Sequence, residues 1–269
     1  MLGEILWYVF LALAGLLFIG NLFTGPLQHL FIFRPRRLPR DFSYQFLEVA
    51  TELFIETSHG GEMNALWFKG DQQLSPKGVI LFFHGNRDNL SRWGHLYHFF
   101  TRFGYDFFVY DYRGYGKSTG QRNQKFLYQD AQEMYEYLRQ FYPPERIVLY
   151  GRSLGSAFAA RVGAKAPAKL LVLETPFFNM RELFYTYYPF LPRLFFFRYS
   201  LPTQRYLKEV QCPVHIFQGT KDLIVPFSCA VKLKACLKPG DAFHTVTGAG
   251  HNNLLFYDLY NLKMLEILQ

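Results

Sequence analysis

The 269-residue chain is 50% hydrophobic and long enough to bury one sizeable core, so a single α/β domain with an appendage is expected rather than two domains. Its net charge of +8 favours an anionic partner, but no zinc-finger spacing, aromatic RNA-binding motif or basic helix accompanies it; this argues against nucleic acid, while a membrane surface fits both the charge and the 19% aromatic content. Cys212, Cys229 and Cys236 are odd in number and form no disulfide framework, and no Cys/His spacing suggests a metal site, so neither metal nor cofactor is implied.

At the N-terminus, Ile5 to Gly20 are apolar or glycine, and Leu22-Phe23 extends the run past Asn21 to about 20 residues, the length that crosses a bilayer. Residues 1–24 therefore read as one transmembrane anchor. A cleaved signal peptide is the alternative; Glu4 where a basic residue would stand, and no small-x-small cleavage site after the run, argue against it. Trp7 and Tyr8 suit a headgroup belt, and Arg34, Arg36, Arg37 and Arg40 follow the helix with no basic residue before it, which places the rest of the chain in the cytoplasm. Residues 25–45 read as a basic linker, with Pro35 and Pro39 breaking any helix.

Residues 46–57 and 63–69, parted by His59-Gly60-Gly61, read as an antiparallel strand pair. The continuous apolar run 78–83 reads as a strand buried on both faces, ending at His84-Gly85-Asn86. A helix over about 91–103, a strand over 106–110 and the loop 111–118 follow; residues 124–141 are helical by periodicity and stop at Pro143-Pro144. The strand 146–150 runs into Gly151-Arg152-Ser153-Leu154-Gly155 and a helix of small residues. Further strands are expected at 169–173, 213–217 and 243–246, with helices at about 226–237 and 252–268. Repeated βαβ units with right-handed crossovers give a mostly parallel sheet flanked by helices, with its site at the carboxyl ends of the strands.

Gly-x-Ser-x-Gly between a strand and a helix marks Ser153 as a candidate nucleophile. The glycines give room for a sharp turn, and the helix N-terminus offers free N–H groups and a dipole to a developing oxyanion. A serine needs a general base, and histidine has the pKa for that work. The bland alternative is a serine that merely caps a helix.

Four motifs occur in order: His84-Gly85-Asn86, Asp111-Tyr112-Arg113-Gly114-Tyr115-Gly116, Gly151-Arg152-Ser153-Leu154-Gly155, and the late pair Gly219-Thr220-Lys221-Asp222 with Gly248-Ala249-Gly250-His251. On these, residues 46–269 resemble the α/β-hydrolase superfamily, and with the N-terminal run the chain looks like its membrane-anchored, single-domain serine hydrolase branch. The resemblance implies an α/β-hydrolase fold and a Ser153–His251–Asp222 triad, with Glu174 as a rival acid. It also implies an oxyanion hole from the backbone N–H groups of Leu154 and Asn86, and a cap over about 176–202. His84 is expected to shape its loop. The aromatic cap suggests an apolar acyl pocket that includes Phe177 and Phe178, or a surface leaning on the bilayer, with Arg181, Arg193, Arg198 and Arg205 reaching for phosphates. A small satellite core under the cap is the bland reading. The implied activity is cleavage of ester bonds in lipid, acyl or thioester substrates through an acyl-enzyme. The alternative from another class is a catalytically silent, membrane-tethered scaffold or binding protein on the same fold.

Overall fold

Eight strands, each an apolar or alternating run, form one sheet in a computed structural model that describes residues 2–70 and 76–269. They are β1 (Ala50–Glu56), β2 (Glu62–Phe68), β3 (Gly78–Phe83), β4 (Tyr105–Tyr110), β5 (Ile147–Arg152), β6 (Leu170–Glu174), β7 (Val214–Gly219) and β8 (Ala242–Val246). The order across the sheet is β8-β7-β6-β5-β3-β4-β2-β1. β1 and β2 pair antiparallel, as do β2 and β4; every other pair is parallel. This is the α/β-hydrolase fold that the motifs led us to expect.

The central strands are apolar throughout because both faces are covered. Along β3, Val79, Leu81 and Phe83 enter one core with Leu149, Ala157 and Leu173, while Ile80 and Phe82 enter the other with Val148, Tyr150 and Tyr260. Helices Gln124–Arg139 and Gly155–Gly163 close the first face; the segment 90–101 and the terminal helix Asp258–Leu268 close the second. Each fully buried large apolar side chain contributes about 1.5–3 kcal/mol relative to exposure.

Three expected helices are shorter or broken. The segment 91–103 divides into Leu90–Trp93, a tighter turn at Gly94–Leu96 and Tyr97–Thr101, with the Phe46 ring packed against Gly94 where a Cβ would sit. The segment 226–237 is a helix only over Phe227–Ala230 and continues as a 3-10 turn to Cys236. The last helix starts at Asp258, because Asn253 turns back to accept from the Gly250 N–H (2.7 Å), holding the loop after β8.

The N-terminal helix Leu2–Thr24 is long and apolar enough to cross a membrane and is exposed along most of its length. The basic stretch after it is stitched to the domain. Gln28–Ile32 is a short helix, Arg34–Pro35 pairs in parallel with Arg87–Asp88, and Arg37 bridges to Gly116. Ile32 and Phe33 are buried in the core, while Arg34, Arg36, Arg37 and Arg40 keep their side chains at the surface. The prolines do break the helix, but their neighbours' backbone groups are satisfied by the loops after β3 and β4 rather than by water.

Candidate active site

Ser153 stands immediately after β5 with φ of 52°, a left-handed conformation that a non-glycine residue holds only when its surroundings enforce it. Its N–H donates to the Glu174 carbonyl (2.8 Å), and its own carbonyl accepts from the Ser156 N–H (3.0 Å), so both sides of the bend are fixed. A Cβ on Gly151 would lie 2.6 Å from the Gly155 carbonyl oxygen, and one on Gly155 would overlap the Phe83 carbonyl. Those two glycines let the turn sit directly against the neighbouring backbone.

The loops after β7 and β8 bring the partners in. His251 Nδ1 lies 2.8 Å from Asp222 Oδ2, and His251 Nε2 lies 3.0 Å from Ser153 Oγ. An ionised carboxylate only accepts, so Nδ1 carries the proton and Nε2 accepts from the serine hydroxyl. Asp222 is further held by the Ile224 and Val225 N–H groups (2.8 Å each) and by Gln218 Nε2 (3.0 Å). Ser153, His251 and Asp222 are 8%, 9% and 4% exposed, open enough for a ligand and dry enough to strengthen their hydrogen bonds.

The rival acid is committed elsewhere. Glu174 accepts from Tyr150 Oη (2.5 Å) and pairs with Arg152 Nε (3.1 Å). Burial, with Glu174 alongside, pushes the Tyr150 phenol well above its ordinary pKa, so it remains a donor. Arg152 also leans toward the His251 carbonyl (3.4 Å) and Asn252 Oδ1 (3.3 Å), which ties the loop after β8 to β5.

The backbone N–H groups of Leu154 and Asn86 have no hydrogen-bond partner among the described residues, and both residues line the cavity that holds Ser153. The peptide that carries the Asn86 N–H is held from behind, its Gly85 carbonyl 2.7 Å from His84 Nδ1, and the next peptide is fixed because the Asn86 carbonyl accepts from the Arg34 N–H (2.9 Å) and Tyr115 Oη (2.8 Å). His84 is fully buried, with Nε2 3.3 Å from Asp111 Oδ1, and its carbonyl accepts from Tyr112 Oη (2.7 Å). Burial raises the Asp111 carboxyl above its usual range, and His84 beside it pulls it partly back. Through these bonds His84 and the 111–118 loop hold the turn that carries Asn86.

A cavity of about 590 Å³ opens beside Ser153. Phe177, Met180, Phe184 and Tyr188 of the cap line one side, and Leu16, Ile19 and Phe23 of the N-terminal helix line another. Phe177 is therefore where the sequence reading put it. Phe178 does not line it: partly buried, it packs against the main core, of which Phe177 is itself a member.

The contribution of the N-terminal helix was not anticipated. Phe196 N–H donates to Asn21 Oδ1 (2.7 Å) and Arg198 N–H to the Thr24 carbonyl (3.1 Å). Gln28 both accepts from the Tyr199 N–H (2.6 Å) and donates to the Tyr199 carbonyl (3.1 Å). Gly20 brings the Phe195 ring into direct contact with the helix backbone. A signal existed in the sequence: Asn21, Thr24 and Gln28 are spaced i, i+3, i+7, one polar face at the end of an otherwise apolar run. Of the cap arginines, Arg181 donates to the Arg193 carbonyl (2.7 Å) and Arg193 pairs with Glu182 (3.6 Å).

A family model described as serine aminopeptidase, S33, matches residues 74–201. Human alpha/beta hydrolase domain-containing protein 17B is 31% identical over 228 residues, covering 82% of this chain and 76% of that protein. The chain belongs to the α/β-hydrolase superfamily. An uncharacterized protein of Mycobacterium tuberculosis is 29% identical over 236 residues, covering 86% of this chain and 83% of its own length. Among solved structures, a Pyrococcus furiosus esterase superposes with a TM-score of 0.67 at 17% identity, covering 88% of this chain and 97% of that one. Acetyl xylan esterase 1 from Thermoanaerobacterium gives a TM-score of 0.65 at 17% identity, covering 86% and 87%. At that identity the likeness is one of fold, and within the superfamily the chemistry must be argued from the site.

Proposed function

We propose that the protein is a membrane-anchored serine hydrolase that cleaves esters of long, apolar acyl groups, with residues 2–24 as a single-pass anchor and the α/β domain on the cytoplasmic side. The single observation that carries this reading is the unbroken chain from Asp222 through His251 to Ser153, at 2.8 and 3.0 Å, beside a largely apolar cavity. His251 takes the Ser153 proton as Oγ attacks the ester carbonyl carbon, and the Leu154 and Asn86 N–H groups receive the oxyanion. The bond to the leaving oxygen then breaks and His251 gives that oxygen the proton. Water attacks the acyl-enzyme through the same base, freeing the acid and restoring Ser153.

Asp222 fixes the His251 tautomer and stabilises the imidazolium in each step. A pocket of about 300–1,000 Å³ suits a small molecule, and 590 Å³ of mostly apolar space favours an acyl chain over a peptide side chain. Thioester or amide cleavage would use the same residues, so the acyl group is better supported than the bond it is attached to.

The test is hydrolysis of an acyl-length series by the full chain in detergent or nanodiscs, with Ser153→Ala alongside. The expected result is preference for longer chains and no turnover above background in the variant. Turnover that survives Ser153→Ala would overturn the reading.

A further inference from the structure

Ser153 is shared by two cavities of opposite character. The large apolar one contains Leu154, one of the two oxyanion donors, and does not contain His251; Asn86, the other donor, lines both. The second, about 130 Å³, contains His251, and around it stand Arg87, Arg92, Arg152, Trp93 and Asn252. This asymmetry orients any ester bound at Ser153. The leaving atom must receive its proton from His251, so the leaving group lies on the side that His251 faces, and the acyl chain takes the other.

From this, resting on the hydrolase reading above, the geometry points to a leaving group that carries a compact anion, a phosphate ester above all. Arg87 and Arg92 are exposed at the cleft and make no ion pair among the described residues. Arg92 lies over the Trp93 ring, 5.0 Å from its centroid, and the Trp93 indole N–H donates to the Arg87 carbonyl (2.8 Å), so one indole braces both. Three arginines and no carboxylate line the cleft; Glu174 is held by Arg152 at 3.1 Å, and Asp222 by His251 and two backbone N–H groups. The cleft thus keeps a net positive charge, and guanidinium groups match phosphate oxygens in geometry. At about 130 Å³ it matches a compact group such as glycerol phosphate better than a second acyl chain. The Ser153–acyl bond forms as the bond to the phosphate-bearing alcohol breaks, and that alcohol leaves with the His251 proton.

The experiment uses the full chain in uncharged detergent micelles and compares two substrates with the same acyl group, a 1-acylglycerol and a 1-acylglycerol 3-phosphate. An acyl p-nitrophenyl ester serves as a neutral yardstick and acyl-coenzyme A as a bulkier phosphate-bearing leaving group. The expected result is a kcat/KM at least tenfold higher for the glycerol phosphate ester than for the glycerol ester. Arg87→Ala with Arg92→Ala should bring that ratio to within threefold of unity, Arg87→Lys with Arg92→Lys should retain part of it, and Lys125→Gln, at an exposed lysine outside the cleft, should keep it. Hydrolysis of the p-nitrophenyl ester with no preference for phosphate, or a ratio unchanged in the double alanine variant, would overturn the inference and leave the hydrolase reading standing. Acyl-coenzyme A favoured over glycerol phosphate would contradict the compact group. No turnover of any of the four would sink both readings.

Discussion

The triad and the apolar pocket meet at Ser153 yet are built in different ways. Ser153, Asp222 and His251 stand on loops that leave the carboxyl ends of β5, β7 and β8, three strands of one sheet, and each is fixed by backbone hydrogen bonds or by glycines that admit close contact. The pocket is assembled from pieces remote in sequence, 16–24, 177–197 and 224–225, joined by side-chain packing and by the hydrogen bonds of Asn21, Thr24 and Gln28. The sheet end holds a constellation that suits acyl transfer in general, whereas the attached parts can choose the acyl group. Chemistry and selection should therefore separate under mutation.

The largest effect is expected within the triad. Ser153→Ala should lower kcat by about 10⁶-fold and Asp222→Asn by about 10⁴-fold, measured on a short and a long ester, with both esters affected alike. An effect confined to the long ester would erase the distinction between the two regions. Next is the turn itself: Gly155→Ala should destabilise the domain by about 3 kcal/mol or more, since the new Cβ overlaps the Phe83 carbonyl and backbone must move. Chemical denaturation of the full chain in detergent checks it, and a loss under about 1 kcal/mol would mean the turn has slack.

The pocket is sharpened by Gly20→Leu, which pushes Phe195 off the helix that it contacts. Long-chain kcat/KM should fall about tenfold relative to that for an acetyl ester, equivalent to about 1.4 kcal/mol, while fluorophosphonate labelling of Ser153 persists. Equal loss on both esters would show that the N-terminal helix supports the fold rather than the pocket. A protein lacking residues 2–24 should show the same shift, because it lacks the wall made by Leu16, Ile19 and Phe23.

The smallest expected effect lies under the triad at the sheet edge. His215 Nδ1 on β7 faces His244 Nε2 on β8 at 2.9 Å, and burial followed by the His215 neighbour pushes His244 down to about 4. Burial lowers His215 as well, with Asp241 opposing and Lys263 reinforcing it. The unfolded chain then binds more protons than the folded one between about pH 4 and 6.5. Stability is full above pH 6.5 and is lost as the pH falls toward 4. Melting curves at pH 7 and pH 5 should show this decline, and His244→Gln should flatten it; an unchanged slope in the variant would remove the pair as its source.

The strands and the turn at Ser153 were legible because each is written locally. The run 78–83 reads as a strand covered on both faces, Gly151 and Gly155 mark a turn pressed on backbone, and the superfamily's chain order, implied by the resemblance, points to Asp222 and His251. The resemblance favours Asp222 over Glu174, and the fold supplies the physical reason, since Glu174 is held by Arg152 and Tyr150. The pocket was legible in part. An apolar helix long enough to cross a bilayer offers little contrast beyond Asn21 and Thr24 at its end, and these, with Gln28 at the start of the next short helix, read as noise until the cap segment 195–199 is seen against them. Phe177 and Phe178 were indistinguishable because two adjacent aromatic residues carry no local sign of which one reaches the cavity.

The central claim is that Ser153, activated by His251, forms the acyl-enzyme. Mass spectrometry of the full chain after a brief exposure to an alkyl fluorophosphonate tests it most directly, with Ser153→Ala and His251→Gln as companions. One adduct is expected, located on Ser153, absent in the first variant and formed at least 100-fold more slowly in the second. An adduct on another residue, or one formed on Ser153 at the same rate without His251, would contradict it.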